Sequence, residues 1–177
     1  QSQYLDFEGV PPFVHLLQEV SKFPEITVIR FMSSNPWDFH DELIAEIAQN
    51  KKIDRFIHLP VQSGSNSVLY RMNRGYTRED YLRVVKKLRA ADPSITLGTD
   101  IIVGFPGETD EEFADTLDLA KQVDWQVAFV NIYSPRPGTA SVKLYPDDVP
   151  FPVKKKRWQI LEEAINKKHL DHRPKVV

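Results

Sequence analysis

The 177-residue sequence contains no cysteine. That absence excludes disulfides, thiolate zinc sites and any iron–sulfur cluster ligated by this chain. A basic excess is lacking too: 23 Lys and Arg stand against 25 Asp and Glu, for a formal net charge of −2. Overall charge therefore gives no support to tight, non-specific nucleic-acid binding, although a local basic patch remains open. No apolar run approaches the length of a membrane span, and Gln1-Ser2-Gln3-Tyr4 does not open a secretory signal. A cytoplasmic protein with no membrane partner is the expectation. The first residue is not methionine, so the sequence reads as a piece of something longer.

What is present is ordinary in bulk: 41% hydrophobic and 27% charged residues, the profile of one globular domain with a sizeable core. The order of the residues is more informative. Phe13, Leu16, Leu17 and Val20 have helical spacing after Pro11 and Pro12. Ile26 to Phe31 reads as a first strand, rich in β-branched residues. Asp38 is positioned to cap a helix carrying Leu43, Ile44 and Ile47, and Phe56 to Leu59 reads as a second strand. Thr77 with Asp80 and Thr109 with Glu112 have capping-box spacing. The helices they open carry Tyr81, Val84, Val85 and Leu88, then Phe113, Thr116, Leu117 and Ala120. Ile95 to Val103 and Gln126 to Tyr133 read as the third and fourth strands, and Trp158, Leu161 and Ile165 share one face of a last helix.

Strands alternating with helices predict a parallel sheet with helical crossovers. Four such units make half of a parallel (β/α) barrel or an open doubly wound sheet. In both, ligands bind at the C-terminal strand ends. The polar, Gly- and Pro-shaped loops fall there: Met32 to Trp37, Pro60 to Ser65, Gly104 to Thr109 and Ser134 to Thr139. Gln62, Ser63 and Ser65 offer amide and hydroxyl groups suited to a ribose or amino-acid ligand. Gly64, Gly104 and Gly107 permit close backbone approach or sharp turns, and Arg136 is a fixed cation for a carboxylate or phosphate. Asp100, a carboxylate within an apolar strand, needs a partner or a function.

Plainer readings stand beside these. Each loop taken singly is a turn. Glu108 adjoins the Thr109 cap and could only complement a helix N-terminus. His58 reads as a core or rim histidine, while His15, His40, His169 and His172 read as surface residues. The run Lys154 to Arg157 reads as a solvated helix face, with a nucleic-acid contact as the alternative. An unrelated α/β-barrel isomerase or lyase would need a phosphate cradle late in the barrel, for which Gly138 alone is thin support.

Five strings in order carry a resemblance: RFMSSNPWDF from Arg30, HLPVQSGS from His58, RMNRGYT from Arg71, TDIIVGFPGET from Thr99 and YSPRPGT from Tyr133. Together they resemble the radical S-adenosylmethionine methylthiotransferases, from about Phe13 to the last helix. His58, Gln62-Ser63-Gly64 and Arg136 are similar to the tRNA-modifying, MiaB-type branch rather than the ribosomal-protein branch. Asn35 stands where that branch commonly has His. The resemblance implies that residues 1–177 form the second half of a partial radical SAM barrel, about four βα units. A cluster-binding domain, the first barrel strands and an RNA-binding β-barrel domain would lie outside this chain.

The resemblance also implies a chemistry. In the full-length protein two 4Fe-4S clusters, whose ligand cysteines are not in this chain, work with S-adenosylmethionine. They install a methylthio group on carbon 2 of an isopentenyl-adenosine next to the anticodon. The alternatives are a threonylcarbamoyl-adenosine or ribosomal-protein substrate, or a non-catalytic half barrel that binds S-adenosylmethionine or RNA. Carried over, Gln62, Ser63, Gly64, Ser65, Asp100, Gly104, Glu108 and Arg136 would surround S-adenosylmethionine. Arg74, Arg136, Ser33 and Ser34 are the candidates for tRNA contact, with Arg74 and Arg136 equally suited to the cofactor carboxylate. A flavodoxin or ferredoxin would supply electrons. The chain alone is expected to be catalytically inert, and the open edges of a half barrel predict self-association.

Overall fold

The computed structural model describes residues 11–33 and 35–167. Its sheet has three strands, β1 (Phe56–His58), β2 (Thr96–Val103) and β3 (Val127–Ile132), in the order β1-β2-β3. Both pairs are parallel, with His58 beside Gly98 and Asp100 beside Phe129. Parallel neighbours require crossovers. Helices α3 (Asn66–Arg71) and α4 (Arg78–Ala91) connect β1 to β2, and α5 (Asp110–Val123) connects β2 to β3. The strand order never reverses, so the sheet is wound in one direction, as in a barrel. The doubly wound alternative, which needs a reversal point, does not apply.

Burial alternates along β2. Leu97, Thr99, Ile101 and Val103 are buried, while Asp100 and Ile102 are only half-buried. The buried residues pack with Tyr81, Val85 and Leu88 of α4, Phe113 and Leu119 of α5, and Leu161 of α7 (Phe151–Leu161). The second parity faces the concave, open side, where Phe129 is exposed. This side carries the site.

The helix starts follow the sequence closely. Thr77 and Asp80 form a reciprocal capping box on α4, and Thr109 and Glu112 do the same on α5. For α2 (Asp41–Gln49) the expectation is corrected. His40 is the cap, its Nδ1 accepting from the Leu43 N–H at 3.2 Å, and Asp38 lies in a single 3-10 turn, Pro36–Asp38. Helix α1 (Pro12–Ser21) buries Val14 and Leu17 rather than the expected stripe. Phe13 and Leu16 stay exposed, and the Phe13 ring meets Phe31 edge-on at 5.1 Å.

The expected first strand, Ile26 to Phe31, is not a strand. The chain from Ile26 to Met32 instead runs beside β1 and the residues before it by two isolated parallel bridges, Ile29 with Ile53 and Met32 with His58. The partner lies 24 residues ahead in the first bridge and 26 in the second. Two extra residues thus accumulate on the β1 side, and a continuous ladder cannot form. The fourth position of the sheet exists, but it is sparsely paired.

At the other edge, β3 is not left open. The Asn166 side-chain amide donates to the Ala128 carbonyl at 2.7 Å and accepts from the Ala128 N–H at 2.9 Å, and the Trp158 indole N–H donates to the Val130 carbonyl at 2.9 Å. Asn166 belongs to a π-helical continuation, Glu162–Lys167, in which α7 widens. The last helix therefore satisfies edge groups that would otherwise recruit another strand. His169 and His172 lie outside the described residues.

Candidate functional site

The concave face of the sheet forms the floor of a cavity of about 1050 Å³, ample for a nucleoside-sized ligand. Asp100 and Ile102 of β2 and Asn131 of β3 come from the floor, Arg74 from the turn after α3, and Arg136 from the loop before α6 (Ala140–Leu144). Gln62 enters from the end of the segment after β1. Its backbone is in the left-handed region, φ 71°, sparsely populated for a residue with a Cβ. Two ladder bonds hold it there: the Gln62 N–H donates to the Asp100 carbonyl, and the Ile102 N–H donates to the Gln62 carbonyl, both at 2.9 Å.

Asp100 has the partner that its place in a strand requires. The His58 Nε2 lies 2.9 Å from the Asp100 Oδ2. His58 is 4% exposed, as a core histidine should be, whereas the Asp100 side chain is 32% exposed toward the cavity. The parallel register explains the room for the imidazole. Gly98 sits beside His58, and a Cβ there would stand 3.2 Å from Nδ1 and 2.4 Å from the Phe56 ring. A ring donor thus holds one carboxylate oxygen while the group as a whole faces the cavity.

The cations of the cavity differ in how far they are neutralised. Arg71 is tied to α5, its two terminal nitrogens donating to the Glu112 oxygens at 3.0 and 2.7 Å. Burial alone would raise the Glu112 carboxyl, but Arg71, Ser67 and the Thr109 N–H together bring it down to about 2. Arg74 has no carboxylate partner among the described residues, and its Nε is buried without a hydrogen bond. Arg136 is exposed at the rim, and only its carbonyl is used, accepting from Thr139.

Several expected site residues are placed elsewhere. Ser63 and Ser65 are buried, and Ser63 Oγ contacts Thr116 Oγ1 and accepts from the Ser65 N–H. The Gly64 N–H donates to Thr116 Oγ1 at 3.0 Å, and a Cβ on Gly64 would stand 2.5 Å from the Thr116 Cα. These three residues dock a loop onto α5 and do not line the cavity. Gly104, at φ 68°, donates its N–H to Glu108 Oε2 at 2.7 Å and is covered by Lys154. Glu108 is 5% exposed and ion-paired to Arg157 at 2.7 Å, so it too turns away from the cavity. Burial pushes its carboxyl above the usual range, against the pull of the Gly104 N–H and Arg157. Ser33 Oγ donates to the His58 carbonyl at 2.6 Å and lines a separate apolar groove with Phe13, Met32 and Trp37. Ser34 lies outside the described residues.

The basic run of α7 is not a solvated face throughout. Lys154 and Arg157, three apart, are 3% and 5% exposed. Lys154 pairs with Asp147 and lies over the Tyr133 ring, and Arg157 reaches Glu108 and Asp110. Lys155 and Lys156 are exposed. The cavity residues that the sequence did not single out include Tyr70, Arg71 and Asn131. The available signal for Asn131 was its parity with Phe129, against buried Ala128 and Val130.

Among the described residues no group of three or more His, Asp or Glu could hold a metal ion, and the chain has no cysteine. Its described residues therefore do not fit an iron–sulfur cluster. They do fit a polar, zwitterionic nucleoside: an amide, an oriented carboxylate and two uncompensated guanidinium groups share one cavity. No helix among them is long and apolar enough to cross a membrane.

A family model described as the Radical SAM superfamily matches residues 6–120. A tRNA-2-methylthio-N(6)-dimethylallyladenosine synthase from Thermotoga petrophila is 47% identical over 166 residues, covering 92% of this chain and 38% of the relative. The protein of the same description from Oceanobacillus iheyensis is 49% identical over 163 residues, covering 92% of this chain and 31% of the relative. This chain therefore spans about a third of the length of such relatives. Among solved structures, coproporphyrinogen III oxidase (HemN) from Escherichia coli, a radical SAM enzyme, superimposes with a TM-score of 0.61 at 20% identity, over 76% of this chain and 31% of that one. That likeness speaks to the fold alone.

Proposed function

The chain belongs to the radical SAM superfamily, and on that premise we propose that it is the S-adenosylmethionine-binding part of a cytoplasmic tRNA-2-methylthio-N(6)-dimethylallyladenosine synthase. The observation that carries this is the convergence of Gln62, Arg74, Asp100 and Arg136 on one cavity at the C-terminal strand ends, in a chain 47% identical to a relative of that description. S-adenosylmethionine, when bound, supplies the radical chemistry that acts on an otherwise unreactive C–H position. The protein's part is binding and orientation. Gln62 offers an amide to ribose or amino-acid groups. Asp100, held by His58, accepts from hydroxyl or ammonium donors. Arg74 and Arg136 meet the cofactor carboxylate or an RNA phosphate.

The iron–sulfur clusters of such a protein would take their ligand cysteines from outside this chain, which has no cysteine. Residues 1–177 are accordingly read as one partial barrel, inert alone, that works with tRNA, S-adenosylmethionine and a flavodoxin- or ferredoxin-like reductant. The test is mass spectrometry of tRNA nucleosides after deletion of the gene. Loss of the methylthio mark on isopentenyl-adenosine is the expected result. Loss only on threonylcarbamoyl-adenosine would move the substrate, and no change in any methylthio nucleoside would remove tRNA.

A further inference from the structure

Helix α3 buries Val68 and Leu69 completely, and those two residues satisfy its packing against the core. Tyr70, next along, is 82% exposed. It is the most exposed large hydrophobic side chain among the described residues, and it stands in the wall of the main cavity. Neither its ring nor its hydroxyl has a partner among them. An aromatic side chain beside a polar cavity, free of any packing duty, presents a flat π-face to whatever enters.

The charges around it narrow what that is. Arg71 is neutralised by Glu112, and Asp100 is held by His58. Arg74 and Arg136, both in the same cavity wall, have no acidic partner among the described residues. A cavity mouth with an exposed aromatic face and two uncompensated guanidinium groups, on a chain whose net charge is −2, is a local rather than a global basic feature. Proteins bind unpaired nucleotides in this way: the base stacks on an aromatic ring, and arginines meet the phosphates. A paired duplex offers no free base face to Tyr70.

We propose that Tyr70 is a stacking platform for an unpaired nucleobase of the RNA substrate at the cavity mouth, with Arg136 meeting an adjacent phosphate. The inference rests on the tRNA reading above and adds a substrate contact to it. It is tested on the whole gene product by fluorescence anisotropy. The probes are a fluorescein-labelled tRNA anticodon stem-loop and a fully paired RNA duplex of equal length. Tyr70→Ala is expected to weaken stem-loop binding about 5- to 150-fold, the range of base–aromatic stacking. It should leave duplex binding unchanged. Tyr70→Phe, which keeps the ring, should bind within about 2-fold of the wild type. Arg136→Gln should lower the salt slope of stem-loop binding by about one. Stem-loop binding by Tyr70→Ala equal to wild type would overturn the inference and leave the tRNA reading standing. If the wild type shows no preference for the stem-loop over the duplex, both fail.

Discussion

Arg157 and Arg74 each bury an Nε that makes no hydrogen bond, yet their surroundings differ. Around Arg157 the protein supplies the rest. One terminal nitrogen donates to the Glu108 carbonyl and carboxylate at 3.0 and 2.7 Å, and the other reaches Asp110 at 2.8 Å. Glu108 in turn accepts from the Gly104 N–H, so α7 is locked to the turn after β2. Among the described residues no carboxylate is supplied to Arg74, and Arg136 in the same cavity wall is equally uncompensated there. The difference separates architecture from function. A charge whose partners are all internal holds the fold, and a charge left open to a cavity is available to a ligand.

The largest expected effect lies on the internal side. Arg157→Met strands the Glu108 carboxyl, whose side chain is 1% exposed. Breaking a buried pair from one side costs about 3–5 kcal/mol, read as a lower urea midpoint. Pairing it with Glu108→Leu should recover most of the loss, since replacing both partners removes the stranded charge. If Arg157→Met unfolds at the wild-type midpoint, the latch is not structural and the contrast with Arg74 collapses.

Next in size is Gly64→Ala. The sequence places Gly64 among the ligand contacts, but the structure sets it against α5, with a Cβ only 2.5 Å from the Thr116 Cα. Backbone cannot yield as a flexible side chain does, so about 1–3 kcal/mol of destabilisation is expected from overpacking. A variant of wild-type stability with weakened S-adenosylmethionine binding would return Gly64 to the site.

These cases show what was legible in the sequence. Capping boxes at Thr77 and Thr109 depend on residues three apart, and both are formed. The parallel pairing of the last two expected strands was equally readable, because strands alternating with helices require it. Asp100 announced itself as a carboxylate needing a partner, and His58 is that partner. Long-range partners were not legible. Nothing local tells Lys154 and Arg157 apart from Lys155 and Lys156. Their burial depends on Asp147 and Glu108, brought together by the tertiary fold. The Ser63 hydroxyl looks like a ligand contact until Thr116 of α5 lies against it and the Ser65 N–H donates to it. The segment from Ile26 to Phe31 has strand composition, but composition does not reveal that two residues of its neighbour slip out of register.

A smaller, pH-dependent effect sharpens the same contrast within the cavity wall. Arg71 and Glu112 are paired, and the Glu112 carboxyl falls from 4.5 to about 2. A folded-state pKa below the unfolded value stabilises the protein above pH 4.5, and that stabilisation is lost as pH falls toward about 2. Glu108 acts in the opposite direction. Its carboxyl is raised by burial, so its contribution is complete below 4.5 and lost as pH rises through the raised pKa. Arg71→Met should therefore flatten the acid limb of the thermal midpoint against pH while leaving the Glu108 limb in place. An unchanged acid limb would mean that Arg71 is not the partner that sets Glu112.

The smallest expected effect is the most discriminating. Arg136→Gln removes a cation that touches no other side chain by hydrogen bond among the described residues. Its stability should be unchanged, with a midpoint within about 2 °C of wild type, as for surface substitutions away from packing or networks. Its Arg157 counterpart lies only 21 residues further on, carries the same side chain, and is expected to cost several kilocalories per mole. Arg136→Gln and an Arg157→Gln made to match it would be the same chemical change, so a difference in midpoint between them reports only on what surrounds the guanidinium. Equal loss at both positions would show that Arg136 is a structural cation, and the cavity would then keep Arg74 as its single uncompensated charge among the described residues. An unchanged midpoint at Arg136 together with a weaker salt dependence of RNA binding would place the two arginines on opposite sides of the line between holding the fold and meeting a ligand.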